Sequence, residues 1–359
     1  MRRGILLDII GAVDPTLLYQ LLRKGQEYRA SDVHFKVGQP PAFRVRGQLH
    51  YLQGDKLRPE HTRAIAEQIV LASGRRIDLD GTAEFDTSYA VEGVGRYRVN
   101  IYRQRGSLAI ALRSISLDIP TFDDLGLPAS LQQFADAERG LVLVVGAAGN
   151  GKSSTLAAMI GHVNHTRRAH VVTIEDPIEF LHTDDTSCIS QREVGIDTGN
   201  FAHALRAALR QDPDVILVGE IRDEETMDIA LKSAETGHLV MSSLHTPDAT
   251  RTVARVISLA GEKMAEETRE RLGACLRGVV AQRLLPRADK QGLVVALEIL
   301  IVTGTVREAL RRPDANPPLK ELMEKGVHPY GMQTFEMHLK QLVQQRIITV
   351  ETAKSAGNF

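Results

Sequence analysis

Hydrophobic positions near the start of the chain follow first a helical and then a strand period. Leucines recur on one helical face between residues 17 and 22, and Asp14-Pro15 before them is typical of a helix cap followed by proline. This pattern predicts a short amphipathic helix that ends by Gly25. Residues 32–37 and 42–45 then alternate polar and apolar side chains, which predicts two strands joined by a turn.

A longer alternating stretch places arginines on one face of a predicted strand. In residues 95–103, period two puts the large apolar side chains on one face and Arg96 and Arg98 on the other. Residues 108–113 are a second strand candidate, which ends in Arg113. Either the arginines project together toward a ligand, or they belong to the solvated face of a half-covered sheet.

From residue 140 onward, short apolar strands alternate with helical stretches. The predicted strands are residues 141–145, 171–174, 215–218 and 239–241, and helices begin at Lys152, Phe201 and Glu224. This rhythm predicts a parallel α/β sheet with crossover helices. Residues 117–128 are rich in Pro, Asp and Gly, which is a linker composition. We therefore expect an N-terminal domain over residues 1–116, a linker over 117–128 and a second domain over 129–359.

Composition and charge narrow the class of protein. The chain has 359 residues, of which 43% are hydrophobic and 25% charged, so a mostly disordered or fibrous protein is excluded. The formal net charge is −1 and there is no Trp, so nucleic-acid binding is not expected. Cys188 and Cys275 are too isolated to build a zinc module. The apolar runs are too short to cross a bilayer, which predicts a cytoplasmic protein.

One motif indicates a nucleotide site. Residues 146–153 fit G-x-x-x-x-G-K followed by Ser or Thr, after a predicted strand and before a helix-forming run. The loop backbone can wrap phosphates, Lys152 can reach the β- and γ-phosphates, and the Ser153 hydroxyl can hold Mg²⁺. ATP and Mg²⁺ are therefore the expected cofactors. The predicted phosphate-binding residues are Gly146, Ala147, Ala148, Gly149, Asn150, Gly151, Lys152, Ser153 and Ser154.

Acidic residues follow two of the predicted strands. Residues 215–218 lead into Glu220, where a carboxylate would face a metal ion and an attacking water. Glu175, Asp176 and Glu179 follow the strand before it, and ligands of open α/β sheets bind beyond the carboxyl ends of the strands. A carboxylate there can position or deprotonate water. Alone, each stretch is also typical of a buried strand end or a solvated acidic turn.

Two histidines flank the last predicted strand. His238 precedes it and His245 follows it, and their separation along a strand keeps them from sharing one metal ion. Either histidine can sense a γ-phosphate from a strand end. Both can equally be polar junction residues.

With these pieces in order, the chain resembles the secretion ATPases, and among them the type IV pilus retraction ATPases of the PilT and PilU family. The resemblance covers nearly the whole length. Its most specific stretches are residues 173–180, 191–194, 212–220, 234–239 and 244–246. They resemble the family's Asp box, the segment after it, its Walker B motif and the two parts of its His box.

The resemblance implies an N-terminal PAS-like α+β domain followed by a RecA-like P-loop ATPase domain with a helical C-terminal end. It also implies a homo-hexameric ring that holds ATP between subunits. The ring would lie at the inner-membrane base of a pilus machine. Its partners would be a platform protein of that membrane and a paralogous retraction ATPase.

The resemblance also assigns roles to single residues. Glu179 matches the catalytic glutamate and Glu220 the Walker B glutamate, so Lys152, Glu179 and Glu220 carry the expected catalysis. Mg²⁺ is assigned to Ser153, Glu175 and Glu220. Among the remaining matches, His238 is assigned to nucleotide binding and His245 to catalysis. Arg98 and Arg113 are also assigned to catalysis, because they lie on strands whose arginines reach the nucleotide in the family.

Some stretches depart from the retraction motors. Residues 194–198 and 331–336 look closer to PilU, the accessory paralogue, and residues 304–311 replace the element by which retraction motors are usually recognised. These departures put independent retraction in doubt and favour an accessory motor. Residues 148–150 also replace a more usual Thr-Gly-Ser in the phosphate-binding loop, where the backbone amides and not the side chains are expected to bind phosphate.

Three other functions fit parts of the sequence. An assembly or type II secretion ATPase typically carries a four-cysteine zinc insertion and a longer N-terminal region, and this chain has neither. A ring subunit that binds nucleotide but scarcely hydrolyses it would carry the same motifs. A nucleic-acid helicase would share a RecA-like core, but the balanced charge of this chain argues against that function.

Overall fold

The helix predicted from the leucine pattern is confirmed as α1 (Pro15–Glu27) in the computed structural model, which describes residues 15–261 and 264–357. Leu18, Leu21 and Leu22 are fully buried. Asp14, the predicted helix cap, lies outside the described residues. The chain divides into two compact units between Leu117 and Asp118.

From residue 15 onward, the first unit is built from one sheet and two α-helices. After α1 its elements are β1 (Asp32–Lys36), β2 (Ala42–Val45), β3 (Gln48–Tyr51), α2 (Pro59–Ala72), β4 (Glu84–Val91), β5 (Gly95–Gln104) and β6 (Ser107–Ser114). Within its described residues, six strands pair antiparallel in the order β3-β2-β1-β6-β5-β4. Strand β3 was not predicted, and its four side chains, including those of Leu49 and Tyr51, are all exposed.

The alternation predicted for β5 is confirmed. Tyr97, Val99 and Ile101 are at most 2% exposed and pack into the core beneath the helices. Arg98 lies on the opposite, exposed face. The sheet is therefore covered on one side, and the arginine-bearing face is the other.

The segment predicted as a linker packs onto the second unit. Phe122 and Leu127 are buried in that unit's core. Thr121 and Asp124 exchange hydrogen bonds, with the Thr121 hydroxyl donating to Asp124 Oδ2 over 2.7 Å and accepting from the Asp124 amide over 3.1 Å. Proline and glycine here mark turns instead of a free spacer, so the unit boundary moves to residues 117 and 118.

The second unit follows the predicted strand and helix rhythm. Its elements up to the C-terminal helices are α3 (Gln132–Ala135), β7 (Gly140–Val145), α4 (Lys152–Thr166), β8 (His170–Glu175), β9 (Cys188–Glu193), α5 (Phe201–Ala208), β10 (Val215–Val218), α6 (Glu224–Glu235), β11 (Leu239–Leu244), α7 (Ala249–Leu259), α8 (Ala265–Cys275), β12 (Leu276–Pro286) and β13 (Leu293–Ile301). Within the described residues, seven strands form a sheet in the order β13-β12-β7-β11-β10-β8-β9.

The expected all-parallel sheet is instead mixed. Strand β13 runs antiparallel to β12, because the two are joined directly by a short connection with no crossover helix. The other pairings are parallel. The carboxyl ends of β7, β8, β10 and β11 therefore meet at one edge, where the predicted chemistry lies.

The predicted helical C-terminal end is confirmed. In the part of the chain that the structure describes, four α-helices follow β13: α9 (Gly304–Arg311), α10 (Leu319–Lys325), α11 (Phe335–Gln344) and α12 (Val350–Gly357). Leu339 and Leu342 of α11 are buried in the same core as β7. Within the described ranges, no helix has the length and apolar character needed to cross a membrane.

Candidate active site

The loop between β7 and α4 is shaped by glycines. Gly146, Gly149 and Gly151 have φ angles of 149°, 78° and 78°, a region that side chains rarely adopt. A Cβ atom on Gly146 would lie 2.6 Å from the backbone oxygen of Gln282. The loop therefore turns tightly into α4 and directs the amides of the helix N-terminus toward one cavity, as a phosphate requires.

The amine of Lys152 lies over this loop. Its Nζ donates to the backbone oxygens of Gly146 and Ala147 over 2.9 and 3.0 Å, and the residue is only 8% exposed. Burial lowers the pKa of Lys152, while the charges of Glu220 and Glu179 act to raise it. A buried cation whose acceptors are carbonyl groups is suited to an anionic ligand.

A cavity of about 220 Å³ lies at the carboxyl edge of the sheet and gathers most of the predicted side chains. The predicted residues that line it are Ala148, Gly149, Lys152, Ser153, Glu175, Glu179, Glu220 and His245. The remaining predicted loop residues, Gly146, Ala147, Asn150, Gly151 and Ser154, belong to the surrounding loop and helix. Motifs separated along the sequence thus form one site.

Glu220 follows β10 and is held by two neighbours. Arg222 pairs with Oε1, and His245 Nε2 lies 3.3 Å from Oε2. The carboxylate is only 13% exposed, whereas the His245 side chain is 52% exposed. Glu220 also raises the pKa of Arg222, which keeps the guanidinium charged. The carboxylate is thereby fixed in orientation beside Lys152 and Ser153.

Glu175 and Glu179 differ in environment. Glu175 Oε1 accepts hydrogen bonds from the Thr173 hydroxyl over 2.7 Å and from Gln191 Nε2 over 3.1 Å. Burial raises the pKa of Glu175, and the charge of Glu179 adds to the rise. Glu179 itself is exposed to the cavity. Two protein donors thus hold Oε1 of Glu175, which suits a structural role, and Mg²⁺ binding by this residue stays a prediction.

The donor set fits Mg²⁺ held mainly through phosphate. Among residues 15–261 and 264–357, no group of three His, Cys, Asp or Glu side chains is arranged to hold a metal ion. In nucleotide sites Mg²⁺ usually takes one or two side chains and completes its shell with phosphate and water oxygens. Ser153 and Glu220, which line the same cavity, are the side chains that fit this role.

His238 lies away from this cavity. It precedes β11 while His245 follows it, and the six residues of that strand span about 20 Å. Its Nδ1 lies 3.0 Å from the backbone oxygen of Ser233, and its own carbonyl accepts from the Gly140 amide over 3.0 Å. The nucleotide-binding role predicted for His238 therefore has no support in the cavity of its own chain.

Arg98 and Arg113 belong to the first unit. They stand directly opposite each other on β5 and β6, and both are exposed. Arg113 Nε donates to Asp32 Oδ1 over 2.9 Å. Burial acts to raise the pKa of Asp32, but hydrogen bonds from Ser31 and Arg113 outweigh it and lower the pKa overall. Arg113 is thus held in place, and Arg98 extends from the same face.

Comparison with known proteins places the chain in a family. The family model described as "Type II/IV secretion system protein" matches residues 12–348. The chain belongs to this family of secretion ATPases. It is 39% identical to the type IV pilus ATPase PilU of Pseudomonas aeruginosa, over 93% of this chain and 87% of PilU. It is also 39% identical to the PilT retraction ATPase of that organism, over 95% of this chain and 98% of PilT.

A solved structure agrees with these relatives. The crystal structure of the pilus retraction motor PilT with bound ADP matches with a TM-score of 0.85 and 41% identity, over 95% of this chain and 96% of that one. The predicted membership of the PilT and PilU family is confirmed, and this secretion ATPase is an ATP-hydrolysing enzyme of α/β fold. Equal identity to PilU and PilT does not separate the two subtypes.

Sequence reasoning missed three residues of this secretion ATPase's site. Arg222 stands two residues after Glu220, a spacing that could have drawn attention to it. Gln191 connects the Asp box to β9 by accepting from the His182 amide and donating to the Phe180 oxygen, both over 2.9 Å. His182 lines the cavity, and burial lowers its pKa to about 4. No periodicity in its surroundings marks it out.

Proposed function

We propose that this chain is a Mg²⁺-dependent ATPase motor that drives type IV pilus retraction and the twitching motility it produces. The observation that carries the proposal is the convergence of Lys152, Glu179 and Glu220 on one cavity at the head of α4. These are the residue types that phosphoryl transfer to water requires. Membership of the PilT and PilU family supplies the mechanical role.

Catalysis rests on positioning and electrostatics. Lys152 and the loop amides hold the phosphates, and the buried amine supplies positive charge where negative charge spreads in the transition state. Ser153 and Glu220 would hold Mg²⁺, which would neutralise phosphate charge when bound. Glu179, the exposed carboxylate of the Asp box, accepts a proton from the attacking water.

The family implies how hydrolysis becomes work. The first unit would be a PAS-like domain and the second a RecA-like ATPase domain, six copies of which form a ring. Arg98 and Arg113 would complete a nucleotide site in that ring, and their common exposed face supports this role. An arginine that completes such a site contributes about 10³- to 10⁵-fold in rate in P-loop enzymes. Closure of the site would then move the domains.

Location and partners follow from the same proposal. The ring would be cytoplasmic and peripheral, at the inner-membrane base of the pilus machine, and would act on a platform protein there. The accessory role rests on the PilU-like stretches at residues 194–198 and 331–336, with a paralogous retraction ATPase as partner. The alternatives are an assembly or type II secretion ATPase and a weakly hydrolysing ring subunit.

The test is steady-state phosphate release from Mg²⁺-ATP by the purified chain and by Lys152→Ala at several protein concentrations. We expect turnover that is lost in the variant and rises steeply with protein concentration, because sites completed between subunits need assembly. A constant rate per chain down to concentrations at which the chain is monomeric would contradict sites shared between subunits. Nucleotide binding without turnover at any concentration would favour the weakly hydrolysing ring subunit.

A further inference from the structure

The phosphate-binding loop lies beside β12, a strand that extends beyond the end of its neighbour β7. Pairing between β7 and β12 ends at Val145 and Ala281, but β12 continues to Pro286. On its other side β12 stays paired with β13. Successive residues of a strand direct their backbone N–H and C=O groups to opposite sides. Gln282 and Leu284 therefore direct theirs to the side of β7, beyond the point where β7 ends. Those groups need other partners.

The loop supplies a partner through a side chain. The Leu284 amide donates to Asn150 Oδ1 over 3.1 Å. The Gln282 oxygen faces Gly146, where an added Cβ would lie only 2.6 Å away. Asn150 thus takes the place that the next residues of β7 would occupy in the ladder.

The Leu284 side chain also lies near the loop. A Cβ atom on Gly151 would lie 3.6 Å from a methyl group of Leu284, so little space separates the leucine from the loop at this glycine. Leu284 is therefore hydrogen-bonded to Asn150 through its amide and lies close to Gly151 with its side chain. Both loop residues immediately precede Lys152, the first residue of α4.

We infer that Asn150 is a positioning residue of the nucleotide site, whose side chain holds the phosphate-binding loop against β12 before nucleotide binds. Its backbone amide donates to the Ala147 oxygen over 3.3 Å, so the same residue also fixes the loop's internal turn. The consequence for ATP rests on the proposed function, but the contact itself does not. A preformed loop binds phosphate without the cost of ordering, so losing the contact weakens affinity more than turnover.

Three substitutions separate the contributions at residue 150. Asn150→Ala removes the acceptor. Asn150→Ser leaves a shorter side chain with a hydroxyl group, and serine is the more usual residue at this position in the family. Asn150→Asp keeps an oxygen at the same reach but adds negative charge next to the phosphates. The matched control is Asn316→Ala, because the Asn316 amide donates to the Glu308 and Arg312 oxygens after α9, away from the loop.

The first measurement is hydrogen exchange at the Leu284 amide in the full chain without nucleotide. We expect exchange roughly 2- to 10-fold faster in Asn150→Ala and Asn150→Ser, and unchanged in Asn150→Asp and Asn316→Ala. Equal exchange in wild type and Asn150→Ala would overturn the inference. This measurement does not depend on hydrolysis, so it is informative even if the proposed function fails.

The second measurement is calorimetric binding of Mg²⁺-ADP, with KM and kcat for Mg²⁺-ATP. Asn150→Ala is expected to raise Kd and KM by roughly 2- to 10-fold while kcat stays within about twofold. Asn150→Asp should also weaken binding, although its Leu284 amide stays protected. A loss confined to kcat would contradict a positioning role. Absence of turnover in wild type itself would instead count against the proposed function.

Discussion

His245 Nε2 lies 3.3 Å from Glu220 Oε2, although 25 residues separate the two along the chain. They meet because β10 and β11 are adjacent parallel strands that end at the same edge of the sheet. Arg222 holds the other carboxylate oxygen. The Walker B acid of the proposed site is therefore oriented from two sides, and a histidine from the neighbouring strand is one of its supports.

Removing His245 should slow hydrolysis without preventing binding. In His245→Ala the Glu220 carboxylate loses one support, and we expect kcat to fall by about 10- to 100-fold while KM for ATP changes little. His245→Gln, which retains a hydrogen-bond donor, should recover part of the loss. Steady-state kinetics would measure both variants. An unchanged kcat in His245→Ala would show that this contact has no part in turnover.

The exposed Arg98 side chain of the first unit should matter for turnover and not for folding. Arg98 and Arg113 are direct cross-strand neighbours of like charge, and their repulsion mildly lowers the stability of the sheet. We expect Arg98→Ala to keep or slightly raise the unfolding temperature and to lower kcat by about 10³-fold. The matched control is Arg23→Ala, at an exposed ion pair with Glu27 on α1. Comparable kcat values in the two variants would contradict the proposed role.

Stability should fall as the pH drops below neutrality, partly because of His182. Burial lowers its pKa from 6.5 to about 4. As the pH falls, His182 is therefore protonated in the unfolded chain before it is protonated in the folded chain. The contribution of neutral, buried His182 to the free energy of unfolding is fully present above about pH 6.5 and is lost progressively down to about pH 4. Between pH 7 and 5, His182 should account for a loss of about 2 kcal/mol in unfolding free energy.

Urea unfolding of wild type and His182→Gln at both pH values isolates this histidine. Other buried groups titrate in both proteins and cancel in the difference, including His338, whose pKa burial also lowers. We expect a smaller pH dependence in the variant. Parallel curves for the two proteins would mean that His182 is already protonated or solvated in the folded state.

Glu175 should behave as a structural carboxyl group. Glu175→Gln keeps an oxygen for Thr173 and Gln191 and removes a buried charge, so Mg²⁺-ATP binding and folding stability should both be retained. Glu175→Ala leaves those donors without their acceptor and should cost about 1–3 kcal/mol in stability. Isothermal calorimetry and urea unfolding test both effects. A strong loss of Mg²⁺ dependence in Glu175→Gln would restore the metal role expected from sequence.

Local patterns were sufficient to predict the elements that bury a regular apolar face. The alternation in β5 placed Tyr97 inside and Arg98 outside, and the apolar run before Gly146 located β7. The nucleotide loop was predictable because its glycines and Lys152 serve chemistry with a fixed spacing. Glu220 and Glu179 followed from their positions after strands.

Contacts between distant segments could not be predicted in the same way. Strand β9 carries polar residues such as Gln191, whose role appears only when it reaches the Asp box. The antiparallel placement of β13 depends on a connection whose path the apolar pattern does not reveal. Asn150 was expected to act through its backbone alone, because nothing in the sequence indicates that the Leu284 amide lies opposite its side chain.

Glu179, as the group that activates water, is the residue on which the proposed hydrolysis most depends. The decisive measurement is single-turnover hydrolysis of Mg²⁺-ATP by Glu179→Gln, together with ATP binding by the same protein. The matched control is Glu224→Gln, an exposed first-turn residue of α6. We predict binding within about twofold of wild type and a hydrolysis rate lower by about 10²- to 10⁴-fold in Glu179→Gln alone. Undiminished hydrolysis would contradict this role and point to Glu220 as the base.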